Sequence, residues 1–218
     1  MPKSIIIKKN GGPEVLELQD IKIGTPGPNE IKVTNYAIGL NYIDTYHRSG
    51  LYPLPMPATI GMEAAGEIIE VGGNDSKFKK GDKVIYALGP PGSYSDVRNM
   101  PEKKIIKIPN DVEEKDAAAL MLKGMTVEYL TERTFPVNKN HTVLFHAAAG
   151  GVGQIAIQWI KSKGAKVIGT VGSPSKAELA KKKGCDHVIL YKEKSFKKEV
   201  MNLTDGKGVN VVYDGVGK

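Results

Sequence analysis

The second half of the chain alternates between short apolar runs and segments whose apolar residues recur at helical spacing. Thr142–Phe145 and Lys166–Val171 are largely apolar and β-branched, which is typical of buried strands. Between them, the apolar residues of 155–160 recur with a period of about 3.6 residues and predict a helix that ends before Gly164. Further helices are predicted at 177–183 and 196–203, and further strands at 186–190 and 209–213. This alternation predicts a parallel sheet flanked by helices.

The first half has a different pattern, in which short strands are separated by glycine- and proline-rich turns. Strands are predicted at 4–8, 30–36, 67–71, 83–87 and 93–97. Three alternating prolines in 51–57 exclude a helix or a central strand there. Residues 41–52 predict a short helix with a loop, and helical spacing returns from 116 to 130 before Pro136 breaks it. We therefore predict a β-rich first half, in the form of a small barrel.

A turn of small residues joins the strand Thr142–Phe145 to the helix that follows it. Ala148-x-Gly150-x-x-Gly153 matches the dinucleotide fingerprint G-x-G-x-x-G except for alanine at its first position. The free N–H groups and the positive dipole end of a helix that starts here favour a diphosphate. An ordinary tight strand-to-helix turn is the alternative, and the complete strand–helix–strand context argues against it.

The residues at the end of the next strand distinguish between the two nicotinamide dinucleotides. An NAD site has an Asp or Glu about 20 residues after the glycines, which accepts a hydrogen bond from the ribose 2′-OH. This chain has Gly172 and Ser173 there, followed by Lys176, with no carboxylate. A hydroxyl and a lysine suit the 2′-phosphate, which a carboxylate would repel. The sequence therefore predicts NADP(H), although Lys176 would also fit a solvated lysine at a helix start.

Composition narrows the class of protein. Of the 218 residues, 40% are hydrophobic and 25% are charged, as in soluble globular proteins. No apolar run reaches the roughly 18 residues that a membrane span needs, and no signal-peptide region opens the chain, so we expect a cytoplasmic protein. The single cysteine, Cys185, excludes an intramolecular disulfide and a multi-cysteine zinc site, and it is interpreted as a core residue.

The net charge of +7 is carried by one part of the chain. Residues 161–218 hold 13 Lys against 6 acidic residues, whereas the first 160 residues are balanced. Such an excess would attract an anionic cofactor or RNA. A simpler interpretation is that the lysines at 181–183 complement a helix C-terminus, and nucleic-acid binding is therefore not favoured.

Five stretches together resemble a known family. They are, in chain order, 11–16 (GGPEVL), 41–46 (NYIDTY), 48–52 (RSGLY), 123–127 (KGMTV) and 145–153 (FHAAAGGVG). The chain is identified by them as similar to the zinc-independent quinone oxidoreductase (ζ-crystallin-like) branch of the medium-chain dehydrogenase/reductase superfamily. The resemblance implies an α/β protein with a GroES-like β-barrel catalytic domain at 1–124 and a Rossmann, doubly wound parallel sheet at 125–218. In that family the cofactor binds in the cleft between the two domains.

The residues that would hold zinc are replaced in this sequence. Zinc-dependent relatives have a Cys where Asn41 stands and a His where Met62 stands, in the Gly61–Glu63 motif. Asn is a poor zinc ligand, and a thioether is too soft for Zn²⁺. We therefore expect no catalytic metal.

The resemblance implies hydride transfer from NADPH to a quinone, with hydrogen-bond donors beside the reacting groups. By similarity, Asn41, Tyr46 and Tyr52 are the catalytic candidates, and Asn41 and Tyr46 also lie beside the nicotinamide. An α,β-unsaturated carbonyl is an alternative acceptor, and an NADPH-responsive RNA-binding or non-catalytic protein is an alternative of another class.

The remaining cofactor residues are also implied by similarity. Lys123 and Thr126 would lie near the carboxamide and ribose, and Gly150, Gly151 and Val152 would cradle the diphosphate. The 2′-phosphate would be surrounded by Ser173, Lys176 and Tyr191. His146 is interpreted as structural.

Family members are longer than this chain, which stops after the fourth predicted Rossmann strand. We therefore expect a Rossmann sheet that is incomplete at its C-terminus, with one unpaired edge. The missing part usually forms the dimer edge, so a homodimer is expected for the longer form only.

Overall fold

The computed structural model describes residues 1–217, and the chain divides into two compact units at Leu122/Lys123. The first unit has eight strands and a short helix, α1, Tyr42–Ser49. The strands are β1 Lys3–Ile7, β2 Glu17–Asp20, β3 Glu30–Gly39, β4 Ala58–Thr59, β5 Glu63–Val71, β6 Lys83–Ala87, β7 Val97–Pro101 and β8 Ile105–Lys107. A second helix, α2, Glu114–Glu128, contains the boundary between the units.

Antiparallel sheets form the first unit. Five strands pair in the order β7-β3-β5-β6-β8, and three pair in the order β2-β1-β4. Alternation along β3 turns Ile31 and Val33 inward, where they pack with Ile68 and Met100 in a fully buried cluster. At the start of β3, the period of two that predicted the strand is thus also the period of burial.

The first unit differs from the prediction in several strands, since β2 and β4 were not predicted and β5 begins at Glu63 instead of 67. The strand expected at 93–97 begins instead at Val97, because Tyr94 bonds through its main chain to Ile5 and Ile60 on two separate segments. The hydrophobic pattern of β7 is obscured by Arg98, which is buried with its guanidinium over the Tyr86 ring. β8 was not predicted, and only Ile105 of its three residues is buried.

The second unit is a parallel sheet with helices between its strands. The strands are β9 Thr142–Phe145, β10 Lys166–Val171, β11 His187–Leu190 and β12 Val211–Tyr213, in the order β11-β10-β9-β12. The helices are α3 Gly151–Ser162, α4 Pro174–Lys182 and α5 Phe196–Leu203. The predicted bounds of β9, β10 and α5 are confirmed to the residue.

Side chains from β9, β10 and α3 form the main core of this unit. Val143, Val167 and Ile160 are fully buried, and Trp159 packs against their cluster while its indole N–H donates to Glu132 Oε1 at 2.8 Å. Cys185 is buried in the same cluster, as predicted, and burial raises the pKa of its thiol to about 11.

A π-helical segment, Tyr129–Thr134, continues from α2 before Pro136 ends the helical path. The Tyr213 hydroxyl at the end of β12 donates to the Leu130 carbonyl at 3.0 Å, which ties this segment to the sheet. Among residues 1–217, no helix is both long enough and apolar enough to cross a membrane.

Gly66 on the central strand β5 tests the packing of the first unit. It faces Asn35 at an irregularity in the β3–β5 register, and a Cβ there would meet the Thr34 carbonyl and lie 2.9 Å from Asn35 Cα. We expect Gly66→Ala to lower the free energy of unfolding by about 1–3 kcal/mol, measured by urea denaturation, because backbone atoms must shift. Gly24→Ala is the control, since a Cβ at Gly24 meets nothing within 4 Å. Equal losses for the two variants would contradict this account.

Candidate functional site

The glycine turn lies directly after β9 and brings the start of α3 to the carboxyl edge of the sheet. Gly150 caps the helix with extended backbone, and Ala147 has a positive φ of 52°. A Cβ at Gly153 would lie 2.5 Å from the Ala148 carbonyl oxygen and 2.6 Å from that of Ala147. Only glycine at this position lets the helix approach the turn so closely. The turn is thus built as a dinucleotide fingerprint, with Ala148 buried in place of the first glycine.

Lys123 lies beside this turn. A Cβ at Gly151 would be 2.9 Å from Lys123 Cε and 3.0 Å from its Cδ, so the lysine stem covers the face that the glycine leaves open. Thr126 follows three residues later on α2, which places it on the same side of the helix. The structure therefore brings Lys123 to the glycine turn.

A cavity of about 510 Å³ opens at the carboxyl ends of β9 and β10. Three of the residues assigned to the cofactor line it, namely Gly150, Lys176 and Tyr191. The others assigned to the diphosphate or 2′-phosphate, Gly151, Val152 and Ser173, are not among its lining residues. The Val152 side chain instead packs against the core, and Ser173 caps α4, where its Oγ accepts the Lys176 main-chain N–H at 3.4 Å.

The end of β10 carries no carboxylate in the structure. Gly172 follows the strand directly and lines the cavity with Thr170. The acidic residue in the lining is Asp214, which comes from the end of β12. Its Oδ1 accepts the main-chain N–H groups of Val216 at 2.8 Å and Gly217 at 3.2 Å, and these bonds hold the pKa of Asp214 below its ordinary value. One oxygen of this carboxylate, Oδ1, is therefore occupied by its own turn.

Among the cavity residues that sequence reasoning did not assign to the cofactor are His146, which was interpreted as structural, and Phe196. His146 lines the cavity, with its Nδ1 2.7 Å from Thr170 Oγ1 and its ring edge-on to Phe196 at 5.0 Å between centroids. Phe196 is the first residue of α5 and also lines the cavity. The pattern that predicted α5 correctly contained no sign that its first residue contacts His146, directly after β9.

The three catalytic candidates belong to one helix and the loop after it, in the first unit. The rings of Tyr46 and Tyr52 are 5.2 Å apart, and the Tyr52 main-chain N–H donates to the Tyr46 carbonyl at 3.1 Å. Tyr42 packs edge-on against Tyr46 at 5.3 Å. Asn41 is buried and occupies the N-cap position of α1. The structure thus brings Tyr46 and Tyr52 together at a partly exposed aromatic cluster.

Hydrogen bonds from both the main chain and the side chain of Asn41 hold this residue in place. Its main-chain N–H donates to Asp44 Oδ2 at 2.9 Å, as in a helix capping box. The Tyr94 hydroxyl donates to the same oxygen at 2.8 Å, and burial together with this carboxylate raises the pKa of Tyr94. The Asn41 side-chain Nδ2 donates to Glu63 Oε2 at 2.8 Å, which sets the orientation of the amide.

Glu63 is a further functional candidate that sequence reasoning missed. Its side chain is fully buried, and Oε1 accepts the Leu122 main-chain N–H at 2.5 Å within α2. Gly39 leaves room for it, since a Cβ there would meet Glu63 Oε2. The sequence did contain a signal for this residue, namely an acidic side chain at the start of an apolar strand. A carboxylate buried there requires hydrogen-bond partners.

Comparisons with known proteins agree with this architecture. The alcohol dehydrogenase GroES-like domain matches residues 27–110, and the zinc-binding dehydrogenase family matches residues 151–218. The quinone oxidoreductase of Pseudomonas aeruginosa is 50% identical over 219 residues, and the match covers 100% of this chain and 67% of that protein. The 2-haloacrylate reductase of a Burkholderia species is 45% identical over 224 residues, with the same coverage. The crystal structure of Escherichia coli quinone oxidoreductase complexed with NADPH is 47% identical, with a TM-score of 0.97 over 99% of this chain and 67% of that one.

The chain belongs to the quinone oxidoreductase branch of the medium-chain dehydrogenase/reductase superfamily. Membership confirms the predicted fold class, a GroES-like domain together with a Rossmann parallel sheet. It also makes the protein an oxidoreductase. The chain spans 67% of the length of these relatives.

The Glu63 network makes a prediction for stability. In Glu63→Gln, the new amide nitrogen must face either Asn41 Nδ2 or the Leu122 N–H, and both of these are donors. We expect the free energy of unfolding to fall by about 1–3 kcal/mol, measured by urea denaturation. Glu67→Gln on the same strand is the control, because Glu67 is only half-buried, and we expect a change within about 0.5 kcal/mol. A Glu63 variant as stable as the control would remove the basis for this network.

Proposed function

We propose that this protein uses NADPH to reduce a quinone, and that it does so without a metal ion. One observation carries the proposal: Lys176 and Tyr191 line the cavity at the end of β10, and no carboxylate follows that strand. NADP(H) is the cofactor, in keeping with related quinone oxidoreductases whose structures are described as complexes with NADPH.

The cavity suits the adenosine end of the cofactor. Its volume of about 510 Å³ is in the usual range of small-molecule sites, and its lining combines small residues and main chain with a few polar side chains. Lys176 would bind the 2′-phosphate through its ammonium, and Tyr191 through its hydroxyl. The N-terminus of α3 would hold the diphosphate through main-chain N–H groups of Gly151 and Val152, with Lys123 beside them.

NADPH, when bound, supplies the hydride. The role of the protein's own residues is then to orient the acceptor and to donate hydrogen bonds to its oxygens as charge develops there. Tyr46 and Tyr52 present phenol hydroxyls at the aromatic cluster, and their rings offer an apolar surface against which a flat quinone would stack. We assign Asn41 to the same group, with its amide orientation set by Glu63.

The residues at the family's zinc position do not fit a metal. Asn41 presents its amide nitrogen to Glu63, and that nitrogen has no lone pair to offer a cation. Met62 contributes only a thioether, which is a poor ligand for zinc. Within residues 1–217, no group of three or more His, Cys, Asp or Glu side chains is placed to hold a metal ion. These observations support metal-free reduction.

An α,β-unsaturated carbonyl is the second candidate acceptor, and the 45% identical 2-haloacrylate reductase favours it. The same donors would then serve a carbonyl or carboxylate conjugated with the double bond. The division into domains at 1–124 and 125–218, a homodimer of the longer form and a cytoplasmic location stay predictions from the sequence.

Cofactor preference provides the first test of function. We expect Lys176→Gln to weaken NADPH binding about tenfold and to leave NADH unchanged, because only NADPH presents a charged group to this lysine. Fluorescence titration of the purified protein with each dinucleotide measures both effects. Lys181→Gln, in the last turn of the same helix, is the control and should alter neither. Equal weakening of NADPH and NADH by the Lys176 variant would refute its role at the 2′-phosphate.

The aromatic cluster provides the second test. We expect Tyr52→Phe to lower kcat/KM for a benzoquinone about tenfold, since one hydrogen bond to the developing oxyanion is lost. Tyr42→Phe is the control, because Tyr42 packs in the same cluster but is 76% exposed. Turnover is followed by the loss of NADPH absorbance, with 2-chloroacrylate as the alternative acceptor. An unchanged rate for Tyr52→Phe would exclude that hydroxyl, and turnover of 2-chloroacrylate alone would favour the second candidate.

A further inference from the structure

Gly172 lies under two side chains that come from the segment after β11. A Cβ at Gly172 would lie 2.8 Å from the Tyr191 hydroxyl oxygen and 3.6 Å from Lys192 Cε. The Tyr191 main-chain N–H donates to the Val171 carbonyl at 3.2 Å, which fixes this segment beside the end of β10. Tyr191 and Lys192 are therefore both held over the bare backbone at Gly172.

The two lysines near this point have no acidic partner among residues 1–217. Neither Lys176 nor Lys192 forms an ion pair there, and both side chains are exposed. Lys194 is only two residues further along, and its ammonium pairs with Glu199 at 3.6 Å. Unlike Lys194, Lys176 and Lys192 keep their charge available for a bound anion.

We propose that Lys192 is a second cation of the 2′-phosphate site and shares with Lys176 the choice of NADPH over NADH. This inference rests on the proposed NADPH-dependent function. A phosphate monoester carries a charge of about −1.5 to −2 at neutral pH, so one lysine leaves part of that charge unbalanced. Lys176 comes from the first turn of α4, whereas Lys192 comes from the segment after β11. The phosphate is thus held from two separate elements, with the Tyr191 hydroxyl beside Lys192.

Glycine at 172 is part of the same arrangement. Any side chain there would displace the Tyr191 hydroxyl, which a Cβ would approach to 2.8 Å, whereas the Lys192 stem lies in ordinary van der Waals range at 3.6 Å. Lys192 itself is not among the residues that line the cavity, so its stem lies outside while Tyr191 and Gly172 form the wall. This placement fits contact with a phosphate at the cavity mouth rather than with the adenosine inside.

The test uses two small probes that differ in the 2′-phosphate alone, 2′,5′-ADP and 5′-AMP. We expect Lys192→Gln to weaken the binding of 2′,5′-ADP about tenfold and to leave the binding of 5′-AMP unchanged, both measured by isothermal titration calorimetry. Lys192→Arg keeps the charge, so its affinity for 2′,5′-ADP should stay within about threefold of that of the unsubstituted protein. Lys194→Gln is the matched control, since it removes a neighbouring lysine that is already paired.

Two results would overturn the inference. In the first, Lys192→Gln weakens the binding of both probes equally. In the second, it weakens the binding of 2′,5′-ADP no more than Lys194→Gln does. In both, the unsubstituted protein still binds 2′,5′-ADP more tightly than 5′-AMP. In that case the proposed function stands and only the role of Lys192 is lost. If the unsubstituted protein does not prefer 2′,5′-ADP to 5′-AMP, the proposed cofactor preference fails, and the role of Lys192 fails with it.

Discussion

The second unit depends on one constraint: main-chain segments approach each other closely at the carboxyl edge of its parallel sheet. Gly153 lets α3 start against the carbonyls of Ala147 and Ala148, so the N-terminus of the helix reaches the edge of β9. A side chain at Gly153 would push the helix away and would separate its N–H groups from any diphosphate placed there. The fingerprint is therefore a packing requirement first, and phosphate binding follows from it.

A glycine that lies under a long polar side chain occurs at two other places in the second unit. Gly151 is bare where the Lys123 stem lies across it, and Gly172 is bare where Tyr191 and Lys192 lie over the end of β10. In each case a missing side chain brings a long polar one close to the main chain. Of these glycines, Gly172 lines the cavity, whose charged side chains are Lys176 on α4 and Asp214 after β12.

Much of this could be predicted from the sequence because two signals are local. Periods of 2 and about 3.6 residues mark single strands and helices, and β9, β10 and α5 were predicted to the residue. What failed depends on contacts between distant segments. β7 hides its pattern because Arg98 is buried over Tyr86, and Glu63 is buried because Asn41 and Leu122 supply donors far away in the chain. His146 belongs to the cavity only because Thr170 and Phe196 meet it there.

The site residues that similarity assigned differ in how far local chemistry supports them. Lys176 and Tyr191 line a cavity whose strand end lacks a carboxylate, so charge alone favours a phosphate there over a hydroxyl. Val152 packs with its side chain, which leaves its main-chain N–H for a ligand. Ser173 Oγ accepts the Lys176 main-chain N–H, and accepting that bond does not use its O–H donor. In the proposed function, selectivity for NADPH rests on a few cations around a bare strand end. Such cations add little to fold stability, because an exposed lysine without a carboxylate partner gains its main interaction only when the phosphate binds.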